Sequence, residues 1–169
     1  MEFGDLVRGV GSRHRDDVTA GSVVRGMSNN AITRTFGVSR ETARRWRAGT
    51  QQPSAANVRK IREEAPPEII AAAVLRSTRR VAAGRQRIRY DGSPDGSRDI
   101  GTVSGDSFFG DVADALNEGD LDQAEQLMSD GILGEYGKRG SRSTGGSSYR
   151  NRSPMTGLSI EDWTDMDFQ

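Results

Sequence analysis

One stretch of fifteen residues, Ile32–Trp46, reads ITRTFGVSRETARRW and decides the fold of the front of the chain. Gly37 is free to take the left-handed backbone conformation of a tight turn, and Ser39 can cap the helix that follows. Apolar residues lie at helical spacing on both sides of the glycine: Ile32, Phe36, Val38, Ala43 and Trp46. The pattern predicts a helix-turn-helix with helices over Asn29–Phe36 and from Ser39 to about Ala48.

The other positions of the second helix point outward and carry polar or charged side chains. In helix-turn-helix proteins this helix enters the major groove, and its N-terminal residues contact base edges. Arginine can contact guanine and phosphate through two parallel hydrogen bonds. We therefore predict DNA contacts by Ser39, Arg40, Glu41, Thr42, Arg44, Arg45 and Arg47, with backbone contacts from the first helix by Asn29, Asn30 and Arg34.

Charge is distributed unevenly along the 169 residues, although the formal net charge is zero. Residues 1–102 contain 19 Lys and Arg against 11 Asp and Glu, whereas residues 103–169 contain 5 against 13. A basic front half and an acidic rear half indicate that the front half meets the nucleic acid.

Capping residues and apolar periodicity also divide the remaining sequence into elements. Helices are predicted at about Val18–Met27, Ser54–Glu64, Glu68–Ala83, Asp106–Asn117 and Leu121–Tyr136, and short strands at Arg87–Tyr90 and Asp99–Ser104. The expected fold class is mainly α: an N-terminal helix-turn-helix bundle followed by a small α+β C-terminal region. That region contains a helical hairpin and a flexible Gly/Ser-rich segment.

These elements suggest a domain organisation. We expect an N-terminal arm at 1–17 and a helix-turn-helix DNA-binding domain at 18–64. A connecting helix and short strand at 65–90 and a linker at 91–98 would follow. The rear part would consist of a C-terminal domain with the helical hairpin at 99–136, a flexible Gly/Ser-rich segment at 137–157 and an acidic tail at 158–169. The tail intersperses Ile160, Trp163, Met166 and Phe168 with acidic residues, so it either docks on the protein or binds a partner.

The sequence gives no indication of a disulfide-linked, metal-binding, membrane-spanning or secreted protein. Cysteine is absent and there is a single histidine, so neither a disulfide framework nor a cysteine-based metal site is expected. The scattered carboxylates Asp111, Asp114 and Asp122 are expected to be solvated rather than metal ligands. The sequence shows no membrane span and no signal-peptide pattern. We expect a cytoplasmic, nucleoid-associated protein that needs no cofactor and is not an independent enzyme.

The chain resembles the telomere terminal proteins of linear actinobacterial (Streptomyces-type) replicons over most of its length beyond about residue 20. The resemblance depends on three features: Gly37–Gly49, the helical pair Phe108–Tyr136 ending in GILGEY, and the tail Ile160–Phe168 reading IEDWTDMDF. It implies a protein that becomes covalently joined to DNA 5′ ends and primes the synthesis that patches the recessed telomere.

The same resemblance implies a nucleotide-accepting hydroxyl. The matching stretch is Arg98–Ser104, in which Thr102 would be the acceptor and Ser104 the second choice. A DNA polymerase and a telomere-binding protein would be its partners, with the metal ions for the reaction in the polymerase site. By its residues alone, Thr102 also fits an ordinary strand position.

Two other interpretations fit the helix-turn-helix equally well. A plasmid or phage transcriptional regulator would use the C-terminal half to form a homodimer and would bind half-sites about one helical turn apart. An assembly module would use residues 105–169 chiefly to recruit a partner protein.

Overall fold

The front of the chain folds into six helices, four of which begin after a residue whose hydroxyl caps the helix. The computed structural model describes residues 1–90, 93–140, 158–164 and 166–169. The six helices are α1 (Phe3–Arg13), α2 (Ala20–Gly26), α3 (Asn29–Phe36), α4 (Arg40–Ala48), α5 (Ala55–Glu64) and α6 (Pro67–Ser77). The hydroxyls of Ser28, Ser39 and Ser54 each accept a hydrogen bond from the free amide three residues on, in the first turn of α3, α4 and α5, which confirms these predicted helix starts.

Helix α6 is the centre of the fold. Every residue from Ile69 to Leu75 is buried, so this helix has no polar face over two turns. A helix that is apolar on all sides has to be covered on all sides. Helices α1, α2 and α7 pack against it and provide that cover.

Residues 1–17 are not an extended arm, because most of them form α1. Its buried residues Phe3, Leu6, Val7 and Val10 follow helical spacing and face α6. Three glycines in eleven residues lower the intrinsic helix propensity of this segment. Burial against α6 outweighs that propensity, which is why the local pattern did not predict the helix.

The predicted helix Glu68–Ala83 is wrong beyond Ser77. The hydroxyls of Ser77 and Thr78 both bond to the carbonyl of Val74 at the helix end, and the chain then enters strand β1 (Arg80–Ala82). Strand β1 forms main-chain pairs on both sides, so sheet hydrogen bonds replace those of a longer helix.

Four strands form one long, bent antiparallel ribbon. Strands β1 and β2 (Arg85–Tyr90) pair with β4 (Thr102–Ser104) and β3 (Ser93–Asp99) in a continuous register from Arg80↔Ser104 to Ile88↔Gly96. Gly84 and Gly101 adopt positive φ at the bend, and two main-chain bonds join the strands there. Segment 91–98 is therefore mostly strand rather than linker; residues 91–92 lie outside the described part.

The helical hairpin of the rear half is confirmed. Helix α7 (Phe109–Glu118) and helix α8 (Leu121–Gly140) pack together, with Gly119 in the left-handed conformation between them. Helix α8 continues past Tyr136 into the segment expected to be flexible, and residues 141–157 lie outside the described part. No helix among the described residues combines the length and apolar character needed to cross a membrane.

The acidic tail docks on the protein. Strand β5 (Leu158–Ile160) pairs with β2, and strand β6 (Asp167–Phe168) pairs with β1. Between them Trp163 is buried against Phe3 in an edge-to-face contact, with ring centroids 4.9 Å apart, and its Nε1 donates to Glu125. One continuous apolar core therefore joins α1 to the tail, across the segments that the sequence assigned to separate units.

We predict opposite effects of the same substitution at two glycines of α1. A β-carbon at Gly11 would overlap the backbone of Pro67, whereas one at Gly9 would meet open space. Gly11→Ala should lower the free energy of unfolding by about 1–3 kcal/mol because α1 must move away from α6. Gly9→Ala should raise it by about 0.5–1 kcal/mol through helix propensity. Urea denaturation of both variants tests this, and equal effects at the two positions would contradict the α1–α6 contact.

Candidate nucleic-acid interface

Helices α3 and α4 form the predicted helix-turn-helix. Gly37 ends α3 with φ of 67°, the left-handed conformation that the turn requires, and Val38 packs half-buried against the core. The inner faces are mainly apolar: Ile32, Phe36, Ala43 and Trp46 are all buried, and the buried Nε1 of Trp46 has no hydrogen-bond partner among the described residues. Because Ala43 is small, its side chain allows α3 and α4 to pack closely.

Two neighbouring helices hold this pair in place. Helix α2 packs against both α4 and α6, so it connects the pair to the central helix. Helix α5 contributes Lys60, whose Nζ donates to the carbonyl of Phe36 at 3.0 Å. A cation at the C-terminus of α3 satisfies a free carbonyl and opposes the negative end of the helix dipole. Sequence reasoning did not assign this role to Lys60, because the contact joins residues 24 apart.

The opposite face of α4 is exposed and rich in arginine. The predicted contact residues Ser39, Arg40, Glu41, Arg44, Arg45 and Arg47 are exposed, and Thr42 is half-buried. Thr42 also takes part in the cap, since its amide and hydroxyl both meet the Ser39 hydroxyl at about 3 Å. Sequence and structure therefore agree on which side of α4 faces solvent.

Asparagines of α3 bond to arginines of α4. Asn30 Oδ1 accepts from Arg40 Nη2 at 3.1 Å, and Asn29 Oδ1 accepts from Arg47 Nη1 at 3.4 Å. The structure thus brings together four predicted site residues in two pairs across the motif. Arg34 is exposed on α3 and forms no recorded hydrogen bond or ion pair within the described part of the chain.

Glu41 holds two arginines at once. Its Oε2 accepts from Arg44 Nε at 2.9 Å, and its Oε1 accepts from Arg44 Nη2 and Arg45 Nε, both at 2.8 Å. The two hydrogen bonds from Arg44, and then the one from Arg45, lower the pKa of Glu41 to about 2 because they favour the ionised carboxylate. We name this arrangement of Glu41, Arg44 and Arg45 the Glu41 fork.

The two hydroxyls implied as nucleotide acceptors lie on β4, at one edge of the sheet β4-β1-β6. Val103 between them is buried, so Thr102 and Ser104 face the other way and are half-exposed. Ser104 Oγ donates to Asp106 Oδ2 at 3.1 Å, and Ser104 lies opposite Arg80 in the register. Asp99 accepts the amide of Gly101 and so shapes the turn before Thr102.

Carboxylates elsewhere do not converge on a metal site. Asp111, Asp114 and Asp122 are exposed, and Asp114 pairs with Arg76. Among the residues that the structure describes, no group of three or more histidine or acidic side chains is placed to hold a metal ion.

Comparisons with known proteins identify no relative of this chain. No protein-family model, no curated protein and no solved structure matches it. The arguments about function therefore come from the geometry of α3 and α4, from β4 and from the sequence features given above.

The ionisation of Glu41 provides a test of the fork in solution. Its carboxyl group should titrate at about pH 2 in a carbon-detected NMR titration, below its ordinary value of 4.5. The stabilisation that the fork gives should be complete above pH 4.5 and should be lost as pH falls towards 2, because protonation removes the charge that both arginines contact.

An Arg44→Ala, Arg45→Ala double variant should return the titration towards the ordinary range. Arg40→Ala is the matched control, since Arg40 bonds to Asn30 instead. An ordinary pKa for Glu41 in the unaltered protein would contradict the fork.

Proposed function

We propose that this protein binds duplex DNA by placing α4 in the major groove. The observation that carries the proposal is the division of α4 into two faces. Ala43 and Trp46 are buried against α3 and its neighbours, while four arginines extend from the exposed side. The major groove is wide enough to admit one helix, and arginine suits both guanine edges and phosphates.

The geometry suggests how the contacts divide. The N-terminal turn of α4, from Ser39 to Thr42, would lie nearest the base edges. Arg45 and Arg47 would contact phosphate, and Arg34 would contact the backbone from α3. Asn29 and Asn30, expected from the sequence to contact the backbone, would also orient Arg47 and Arg40 through the bonds already described.

We propose further that the protein acts at the ends of a linear replicon as a terminal protein. The support is the resemblance in sequence, together with the outward placement of two hydroxyls on β4. In such a reaction the hydroxyl oxygen attacks the α-phosphorus of a nucleoside triphosphate, forms a phosphoester and releases pyrophosphate. A partner polymerase supplies the metal ions, and a telomere-binding protein would recruit the complex.

DNA binding is tested with Arg45→Ala in gel-shift titrations over a series of salt concentrations. If Arg45 contacts a phosphate, its loss should weaken binding and reduce the slope of log affinity against log salt by about 0.9. Arg8→Ala on α1 is the matched control, because Arg8 also forms an ion pair and its side chain has the same exposed fraction, 52%. Equal affinity and slope for Arg45→Ala and the unaltered protein would remove Arg45 from the interface.

Priming is tested by incubating the protein with its polymerase, a telomere template and a labelled nucleotide. Thr102→Ala combined with Ser104→Ala should abolish labelling of the protein, and each single variant should show which hydroxyl accepts the nucleotide. Ser107→Ala, which removes an exposed hydroxyl just after β4, should leave labelling unchanged. Unchanged labelling of the double variant would contradict the assignment. Absence of labelling in the unaltered protein, with a symmetric footprint on an inverted repeat, would favour the regulator instead.

A further inference from the structure

The Glu41 fork leaves part of Arg44 free for another partner. A guanidinium has five N–H groups. Glu41 accepts hydrogen bonds from Nε–H and from one N–H of Nη2. These two groups form one edge of the Arg44 guanidinium. Both N–H groups of Nη1 and the second one of Nη2 remain available within the described contacts. Those free groups form the end of the guanidinium, which can donate in parallel to guanine O6 and N7.

Stability does not account for this arrangement. All three side chains are substantially exposed, with exposed fractions of 65% for Arg44, 52% for Arg45 and 49% for Glu41. Ion pairs at such positions contribute little to folding because water and salt screen them. A carboxylate on the face that approaches DNA also repels phosphates, so Glu41 opposes non-specific binding.

We propose that Glu41 is a positioning residue for base recognition, which fixes Arg44 so that its free end contacts a guanine in the DNA target. The inference depends on the proposed DNA binding, and it names guanine as the nucleobase that Arg44 recognises. The carboxylate restricts a long, flexible side chain before the complex forms, so less conformational freedom is lost on binding. Its negative charge also reduces binding to unrelated duplexes, because it repels their phosphates.

Two effects of opposite sign follow from Glu41→Gln. The amide of glutamine has one acceptor oxygen and an NH2 donor, so it cannot accept Nε–H and Nη2–H of Arg44 on two parallel oxygens as Glu41 does. Preference for guanine should therefore fall. Binding to unselected duplex should become tighter, because a negative charge is removed from the face that approaches the phosphates. A substitution that merely damaged the fold would weaken both kinds of binding.

The experiment uses the full chain and a duplex library with a randomised block. Sequences are selected with the unaltered protein, with Glu41→Gln and with the control Glu118→Gln, which removes an exposed carboxylate from α7. The selected guanine is then replaced by adenine, and separately by 7-deazaguanine, which lacks the N7 acceptor. Affinities are measured on these duplexes over a range of salt concentrations.

The unaltered protein and Glu118→Gln should prefer the selected guanine over adenine by about 5- to 150-fold and should lose affinity with 7-deazaguanine. Glu41→Gln should lose most of that preference. It should also bind unselected duplex more tightly than the unaltered protein at the same salt concentration. If Glu41→Gln does not fold, Arg44→Lys tests the same point, because lysine keeps the charge but lacks the planar Nε–H and Nη2–H edge that Glu41 holds.

Three results would overturn the inference. Glu41→Gln with an unchanged guanine preference would exclude the positioning role while leaving DNA binding intact. Selected sequences with no required guanine, or affinity that 7-deazaguanine does not change, would exclude the contact with Arg44. Failure of the unaltered protein to bind any duplex would overturn the proposed function itself.

Discussion

The requirement to cover α6 on every side organises the described structure. Its buried run from Ile69 to Leu75 leaves no face for solvent, so neighbouring helices have to surround it. Helix α1 approaches so closely that Gly11 contacts the backbone at Pro67, and α7 covers another side. Segments from both ends of the sequence therefore share one core, although their charges differ sharply.

The candidate interface is attached to this core through α2. That helix contacts both α6 and α4, so α4 is connected to the central helix through α2. Lys60 adds a second support at the turn, where it bonds to the last carbonyl of α3. A motif held in this way presents its side chains at fixed positions, which recognition of bases requires.

Sequence reasoning predicted the elements that local signals specify. Helices α3 and α4 begin and end at residues whose local chemistry marks a boundary. Ser28 and Ser39 cap backbone amides three residues on, and Gly37 ends α3, so both helices matched the expected boundaries. Helix α1 was missed because its glycines weaken the local signal and its partner is α6. The four-strand ribbon was missed in part because it depends on main-chain bonds between residues far apart in sequence, from Ala83 to Gly101 and from Ile100 to Gly84.

The contacts of the tail could not be predicted either, because its partners lie even farther away in the sequence. Trp163 packs on Phe3 and donates to Glu125, and its own amide bonds to the carbonyl of Met1. No periodicity within twelve residues can indicate partners so distant in sequence. The apolar residues in the tail did indicate that it had to bury them, and the structure shows that it buries them on the chain itself.

The hydrogen-bond partners of the α4 arginines differ in charge. Arg40 and Arg47 bond to neutral amide oxygens of Asn30 and Asn29, which orient a guanidinium without cancelling its charge. Arg44 and Arg45 bond to the Glu41 carboxylate, which orients them and removes one unit of charge from the same face. Among the described residues, Glu41 is the one carboxylate paired with an arginine of α4. The arginines with neutral partners and the arginines that share a carboxylate therefore form two separate pairs within one helix.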